Sequence, residues 1–410
     1  MTELDFAKKV HELGGKAYLV GGAVRDKFRG VKAHDKDYCV AGVDEMTFAE
    51  AFPNAAKFGK SFPVYSVDID EKFCEVAFAR TERKVGTGYR GFEILFSPDV
   101  TIEQDLFRRD TTINAMAIEL LSGELIDPFG GREDVINKKI RAVSEHFTDD
   151  PVRALRAARQ SAQFGFEICA ETIEAMRRCG RELADEPTER IFDELETALK
   201  TNKPSIFFRS LERANLLEIT FPELARLRGK VQPTIYHPEG DAYEHTLKIV
   251  DDVAKVNPKP VVRFAALMHD IGKGTTPEEM LPHHYQHEKR GLEVLSQMNQ
   301  RMILPNEWKK FAALVIREHM RAPRLSKAGK IVDLLLSLKS AVKDFCDIIR
   351  LDNHGLPPYL EHAQEIIDEL LKVSGKDAPP ELKGAQVGKW IHSARIRRFV
   401  EIFRSYEPKG

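Results

Sequence analysis

The sequence predicts a multidomain α+β protein in which an α/β head precedes an all-helical body. Three features predict this. At 410 residues the chain is too long for one compact core. Residues 1–140 alternate short β-prone runs with helical patterns. From about Asp150 onward, long helical periodicities run without strand signals.

In the head, Ala17–Val20, Tyr38–Val40, Phe73–Phe78 and Leu125–Ile126 read as strands, with a helical pattern at Phe48–Ala51 between them. Pro151-Val152-Arg153 opens the first long helix, with acidic residues before it and proline in its first turn. Helical patterns follow at Glu171–Cys179, Thr188–Leu199, Pro204–Asn215 and Tyr243–Val256. Proline-containing stretches at Thr220–Pro222 and Gln232–Pro238 read as joints.

Composition narrows the class. No run approaches the ~20 apolar residues of a membrane helix, and the first ten residues lack the apolar stretch of a secretory signal. The five cysteines form no CxxC pair, which fits reduced thiols and a cytoplasmic location. A net charge of −2 gives no global basic footprint. Local patches exist at Arg153, Arg156 and Arg159 and at Arg395, Arg397 and Arg398, although isolated basic runs of this kind are usually solvated helix faces.

Tyr18-Leu19-Val20-Gly21-Gly22-Ala23-Val24-Arg25-Asp26 reads as an apolar strand, a Gly-Gly turn and a helix start. Gly22 lets the backbone approach a ligand closely, and the helix N–H groups with Arg25 suit a phosphate. Ten residues on, Asp35-Lys36-Asp37 leads into a strand, whose period of two points both carboxylates one way. Such a pair suits one or two Mg²⁺ ions, which activate an attacking hydroxyl and neutralise a leaving pyrophosphate. Glu75, on a neighbouring strand, is the candidate third carboxylate.

Together these segments resemble the first motif of the polymerase-β-like nucleotidyltransferases, specifically the class II CCA-adding enzymes and bacterial poly(A) polymerases. Four more segments resemble that family's motifs in order. Ala79–Arg83 through Gly86-Thr87-Gly88-Tyr89 resembles its flexible loop, and Arg108-Arg109-Asp110 with Asn114 its ribose and triphosphate motif. Asp149-Asp150-Pro151-Val152-Arg153 resembles its nucleotide-selecting motif, with Asp149 where Glu is usual, and Arg190–Glu194 resembles its last motif. The resemblance implies nucleotide contacts at Gly22, Arg25, Arg109, Asp150, Arg153 and Arg156. A template-free polymerase must read the incoming base with protein. A carboxylate accepts from the exocyclic amine that C and A share, and an arginine donates to the ring nitrogen beside it. Asp150 and Arg153, three apart, are expected on one helical face, continued by Arg156 and Arg159 towards the sugar and phosphates.

Eight of the thirteen histidines fall between His237 and His354. An apolar helix at Phe264–Met268 delivers His269-Asp270 into Ile271-Gly272-Lys273, a pairing of imidazole and carboxylate that suits a transition metal. This half resembles the HD phosphohydrolase domain, with His245, His269, Asp270 and Asp352 at the pattern positions. The resemblance implies a metal-dependent phosphatase or phosphodiesterase, with Ni²⁺ a candidate metal, and makes His284, His287 and His319 possible ligands of a second ion.

A CCA-adding head followed by an HD domain is the arrangement of the bacterial multifunctional members of the family. It implies a catalytic head (1–140), a helical nucleotide-selecting and tRNA-binding region (141–225), an HD domain (226–365) and a helical tail (366–410). The expected activity is template-independent addition of CCA to the tRNA 3′ end from CTP and ATP, with Mg²⁺. The expected partner is the tRNA acceptor arm, no membrane is involved, and the protein is a monomer or homodimer. Three other readings compete. A poly(A) polymerase usually carries a strongly basic tail and an incomplete HD set. A CC-adding enzyme tends to lack the flexible loop. An HD nucleotide hydrolase with a nucleotide-sensing head would tolerate loss of Asp35 or Asp37, and both are present.

Overall fold

The computed structural model describes residues 1–33, 35–58, 62–86, 91–235, 237–404 and 406. Two compact units result: Met1–Ala198 with Ile206–Thr220, and Leu199–Ser205 with Phe221–Gly410. Among the described residues no helix is long and apolar enough to cross a membrane.

The first unit opens with α1 (Glu3–Glu12), β1 (Lys16–Val20), α2 (Gly22–Phe28), β2 (Asp37–Ala41) and α3 (Glu45–Ala51). Strands β3 (Ala56–Phe58), β4 (Val64–Ile69), β5 (Lys72–Phe78), β6 (Arg80–Lys84) and β7 (Phe92–Phe96) follow. Then come α4 (Ile102–Phe107), β8 (Ala117–Glu119), β9 (Leu125–Ile126), α5 (Gly131–Ile136) and α6 (Val152–Phe164). Seven strands form one mixed sheet in the order β3-β4-β5-β2-β1-β8-β9. Among the described residues its only parallel pair is β2 with β5, which sets Asp37 opposite Glu75.

Alternation along these strands feeds two cores. Tyr38, Val40, Cys74 and Val76 pack with Phe6, Val10, Phe48 and Phe52 of the N-terminal helices. Tyr18, Val20 and Cys39 pack with Ile102, Leu106 and Ala115 on the opposite face. Asp37 and Glu75 alternate onto that second face, to which α4, the helix that leads to Arg108 and Arg109, contributes Ile102 and Leu106. A capping box between Thr101 and Gln104 starts α4.

Three local expectations change. Ala79–Tyr89 is not a loop throughout: β6 pairs with β7 as a hairpin, while 87–90 lie outside the described residues. The strand carrying the paired carboxylates begins at Asp37, so Asp35 precedes it and strand period does not orient the pair. The body is not strand-free, because Lys139–Ile140 pairs in parallel with Glu167–Ile168.

The second unit is helical. Helices Ala242–Val256, Pro260–Met268, His287–Met302, Asn306–Glu318 and Val342–Asp352 surround a core that includes Leu247, Phe264, Leu267, Val315 and Ile349. After Pro260–Met268 the chain makes a tight turn at Ile271–Thr275, against which helix His287–Met302 packs at glycine contacts. A Cβ on Gly272 would lie 2.0 Å from the His287 carbonyl oxygen and 2.4 Å from Gly291 N. Gly272→Ala is therefore expected to lower the stability of this unit by ~1–3 kcal/mol, through enforced separation of packed backbone. Denaturant unfolding with amide exchange along His287–Met302 measures the loss.

Candidate active site and metal centre

A cleft of about 1190 Å³ opens in the first unit and gathers residues distant in sequence: Gly22, Arg25, Asp37, Arg109, Asp150, Arg153, Arg156 and Arg159 all line it. Gly21, at φ +64°, turns the chain from β1 into α2, and a side chain there would meet the Arg109 guanidinium at 3.2 Å. Arg25 lies over the Phe164 ring, donates to Asn114 Oδ1 at 2.6 Å and is paired with Asp26. Burial holds its guanidinium below the usual value despite Asp26.

Asp37 and Glu75 sit side by side on parallel strands, and Asp35 lies just before β2. Withdrawal of solvent, then the Glu75 charge, raise the Asp37 carboxyl; Arg109 opposes the rise and Asp35 adds to it. Oxygen donors that repel one another in this way fit a hard divalent cation such as Mg²⁺.

The arginines are held by carboxylates, of which Asp105 was missed by sequence reading and Glu82 and Glu194 line the cleft beside them. Asp105 is 1% exposed and takes Arg108 Nη2 at 2.6 Å and Arg109 Nη2 at 2.9 Å. Burial alone would push its carboxyl up, but the two guanidiniums hold it below the ordinary value. The spacing to Arg108 and Arg109, three and four residues on, was the available signal. Glu82 on β6 accepts from Arg80 and Arg108, both at 3.0 Å, and lies 3.7 Å from Arg153. Glu194 accepts from Arg159 at 2.6 Å.

Asp150 differs from the sequence expectation. It is not on the helical face of Arg153 but is extended, at φ −113° and ψ 108°, just before α6. One oxygen accepts from Val152 N–H and the other from Arg190 at 2.8 Å. Arg153 donates to the His146 carbonyl oxygen at 2.7 Å. Both still face the cleft. Of the C-terminal arginines, Arg395 donates to the carbonyls of Leu370 and Val373 and so closes a helix end, while Arg398 pairs with the Glu369 carboxylate.

In the second unit, the expected metal ligands converge from helix ends. His245 is in the first turn of Ala242–Val256, His269 and Asp270 follow Pro260–Met268, and Asp352 ends Val342–Asp352. Ligand atoms of His245, His269 and Asp352 all lie within 4.8 Å of one another, as do those of Asp270, His287 and His319. Asp270 links the sets: Oδ2 lies 3.2 Å from His269 Nε2, while Oδ1 lies 3.1 Å from His287 Nε2 and 3.3 Å from His319 Nε2.

Tautomers follow from the outer contacts. Nδ1 of His269, His287 and His319 each faces a backbone carbonyl, of Ala266 at 2.7 Å, His284 at 2.8 Å and Ile316 at 3.0 Å. Donation there directs the Nε2 lone pairs inward. His287 and His319 Nε2 then face each other at 3.2 Å beside a carboxylate oxygen, an acceptor cluster that fits a transition cation. His284 is not part of it: Nδ1 meets Thr276 Oγ1 at 2.8 Å and Nε2 meets the Val231 carbonyl at 3.1 Å. Lys273 Nζ lies 2.5 Å from Asp270 Oδ2 and from Gln232 Oε1.

Two predictions follow from these charges. Asp110, buried on the cleft wall, accepts from Thr111 N–H and from the Arg156, Gln160 and Asn114 side chains. Arg156 and these donors hold its carboxyl well below the usual range against burial. A depressed carboxyl stabilises the fold above its unfolded value near ~4, and that contribution falls as pH drops towards the folded value. Asp110→Ala should cost ~1–3 kcal/mol at neutral pH by stranding donors, with the difference from the parent shrinking on acidification in parallel denaturation series. Burial lowers His269, but Asp270 and Asp352 outweigh it and raise the imidazole to about 10. A divalent ion must displace that proton, so affinity should climb as pH rises towards about 10. Calorimetric titration in buffers of different ionisation enthalpy would register the released proton.

Comparison with known proteins places the chain. Residues 17–141 match the poly A polymerase head domain, 165–227 a probable RNA- and SrmB-binding site of polymerase A, and 242–371 the HD domain. It is 37% identical to the multifunctional CCA protein of Thioalkalivibrio sulfidiphilus, over 94% of this chain and 98% of the relative. To that of Paraburkholderia phymatum it is 44% identical, over 77% of this chain and 78% of the relative. Its fold is similar to the Bacillus stearothermophilus CCA-adding enzyme solved with CTP, at TM-score 0.67 and 22% identity, covering 99% of this chain and 98% of that one. A tRNA nucleotidyltransferase solved with a primer tRNA and an ATP analogue aligns at TM-score 0.59 and 22% identity, covering 90% of this chain and 98% of that one. With a polymerase-type head, an HD domain and these near full-length relatives, the chain belongs to the multifunctional CCA protein family of nucleotidyltransferases.

Proposed function

We propose that this protein adds CCA to the 3′ end of tRNA, using CTP and ATP and releasing pyrophosphate, and that its HD unit is a metal-dependent phosphohydrolase. One observation carries the first activity: Asp37, Arg109, Asp150 and Arg153, from three separate segments, line a single cleft. The relatives' names and the CTP and tRNA complexes of similar folds agree with it.

In this reading Asp35, Asp37 and Glu75 hold Mg²⁺, which when bound activates the terminal 3′-OH and neutralises the leaving pyrophosphate. Arg109 and Arg25, fixed by Asp105 and Asp26, bind the triphosphate. Asp150 accepts from the exocyclic amine of C or A through its remaining lone pairs, while Arg153 donates to the adjacent ring nitrogen. Arg156 extends the same wall towards the sugar. The acceptor arm is bound through backbone and shape, since every tRNA must be accepted. A tRNA substrate is also the reason to place the protein in the cytoplasm. In the HD unit, His245, His269, Asp270 and Asp352 hold a transition ion, with Ni²⁺ the first candidate, for cleavage of a phosphate ester.

Incubating the protein with Mg²⁺, CTP, ATP and tRNA lacking its CCA end should extend the RNA by three residues, sized at nucleotide resolution. A long A tail would instead mark a poly(A) polymerase, two residues a CC-adding enzyme, and no extension a sensing head. Asp37→Ala should lower addition on the order of a thousandfold or more and spare phosphatase activity, while His269→Ala should do the reverse. Arg153→Ala should weaken discrimination against G and U by ~1–3 kcal/mol.

A further inference from the structure

His245 differs from the other inward-facing histidines. His269, His287 and His319 each have Nδ1 tied to a backbone carbonyl. His245 Nδ1 is buried and has no such carbonyl partner among the described residues. Its Nε2 faces the centre, 3.1 Å from Asp352 Oδ1 and 3.8 Å from Asp270 Oδ2. The group opposite Nδ1 is the Glu239 carboxylate, whose Oε2 lies 3.6 Å away and is itself buried without a hydrogen bond. Two unsatisfied groups of opposite character at this separation are each other's natural partners, and such contacts often lie long before a ligand binds.

Glu239 is held for this task. Its other oxygen is 3.3 Å from Lys248 Nζ, one turn along the helix that bears His245. The loop carrying it is closed by Gln232 N–H donating to the Gly240 carbonyl and by the Val231 bridge to Asp241. Asp241 also caps helix Ala242–Val256 through Tyr243 and Glu244 N–H. Loop and ligand helix are thereby fixed to each other, so the carboxylate has a defined position behind the imidazole.

His237, whose ring lies 4.5 Å from that of His245 and whose Nδ1 is likewise buried without a partner, completes this outer group, but only the carboxylate can accept a proton as an anion. We infer that Glu239 is a positioning residue for the HD metal centre: it accepts the Nδ1 proton of His245, sets the tautomer that turns the Nε2 lone pair inward, and strengthens His245 as a ligand. This rests on the reading of the second unit as a metal centre. A neutral amide at 239 could present its N–H₂ to Nδ1 and favour the opposite tautomer, with the proton on Nε2.

The test is Ni²⁺ and Co²⁺ binding to the full-length protein, with Glu239→Gln and Glu239→Asp compared with the parent. Glu239→Gln should weaken affinity in chelator competition by ~10–100-fold and alter the visible spectrum of the Co²⁺-loaded protein. Its metal-free melting temperature and tRNA extension should match the parent, which separates positioning from general damage to the fold. Glu239→Asp, which keeps the charge, should recover part of the affinity. Affinity and spectrum of Glu239→Gln equal to the parent would overturn the role of Glu239 alone. So would equal losses in Glu239→Gln and Glu239→Asp with a lowered melting temperature, which would mark a structural residue. Parent protein that binds neither ion would overturn the metal-centre reading itself.

Discussion

The Asp105 carboxylate, buried between Arg108 and Arg109, is the contact on which the cleft of the first unit depends. An arginine-lined cavity repels itself unless each guanidinium is compensated by a nearby carboxylate. Asp105 does this for two arginines, Asp110 for Arg156, Glu194 for Arg159 and Glu82 for Arg80 and Arg108. Asp105 does this from outside the cleft lining, whereas Glu82, Asp110 and Glu194 line the cleft beside their partners. The cost of burying those carboxylates is offset by charge-assisted hydrogen bonds, and the result is a set of fixed donors that need not reorganise when a triphosphate arrives.

The second unit solves a related problem with imidazoles. A packed helical core delivers its ligands at helix ends, where the chain can turn side chains towards a common point. Backbone carbonyls one turn back fix the Nδ1 protons of His269, His287 and His319. Gly272 and Gly291 let two backbone segments touch, and that contact sets the distance from Asp270 to His287. Orientation in both units therefore comes from the partners that hold each site side chain.

Legibility varied with how local the signal was. The strands at Ala17–Val20 and Phe73–Phe78 and the helix Thr188–Leu199 were readable because apolar periodicity is local. Strands β4, β6 and β7 were not read, since β6 is charged along its length and its partner lies across a turn. The family motifs named Arg109, Asp150 and Arg153. They did not name Asp105, and they contained Glu82 and Glu194 without showing which cation each one touches.

The sequence by itself determined the family resemblance, the order of an α/β head before a helical body, and the residue types at each candidate centre. Those are properties of spacing along one chain. Only the tertiary structure decided that Asp37 stands beside Glu75, that Asp150 belongs to the turn before α6 and meets Arg190, and that His284 stands apart from the cluster in which His287 and His319 meet Asp270. Strand register, cap geometry and tautomer are set by contacts between residues tens to hundreds of positions apart, and hydrogen-bond partners at that range leave no periodic trace in the sequence.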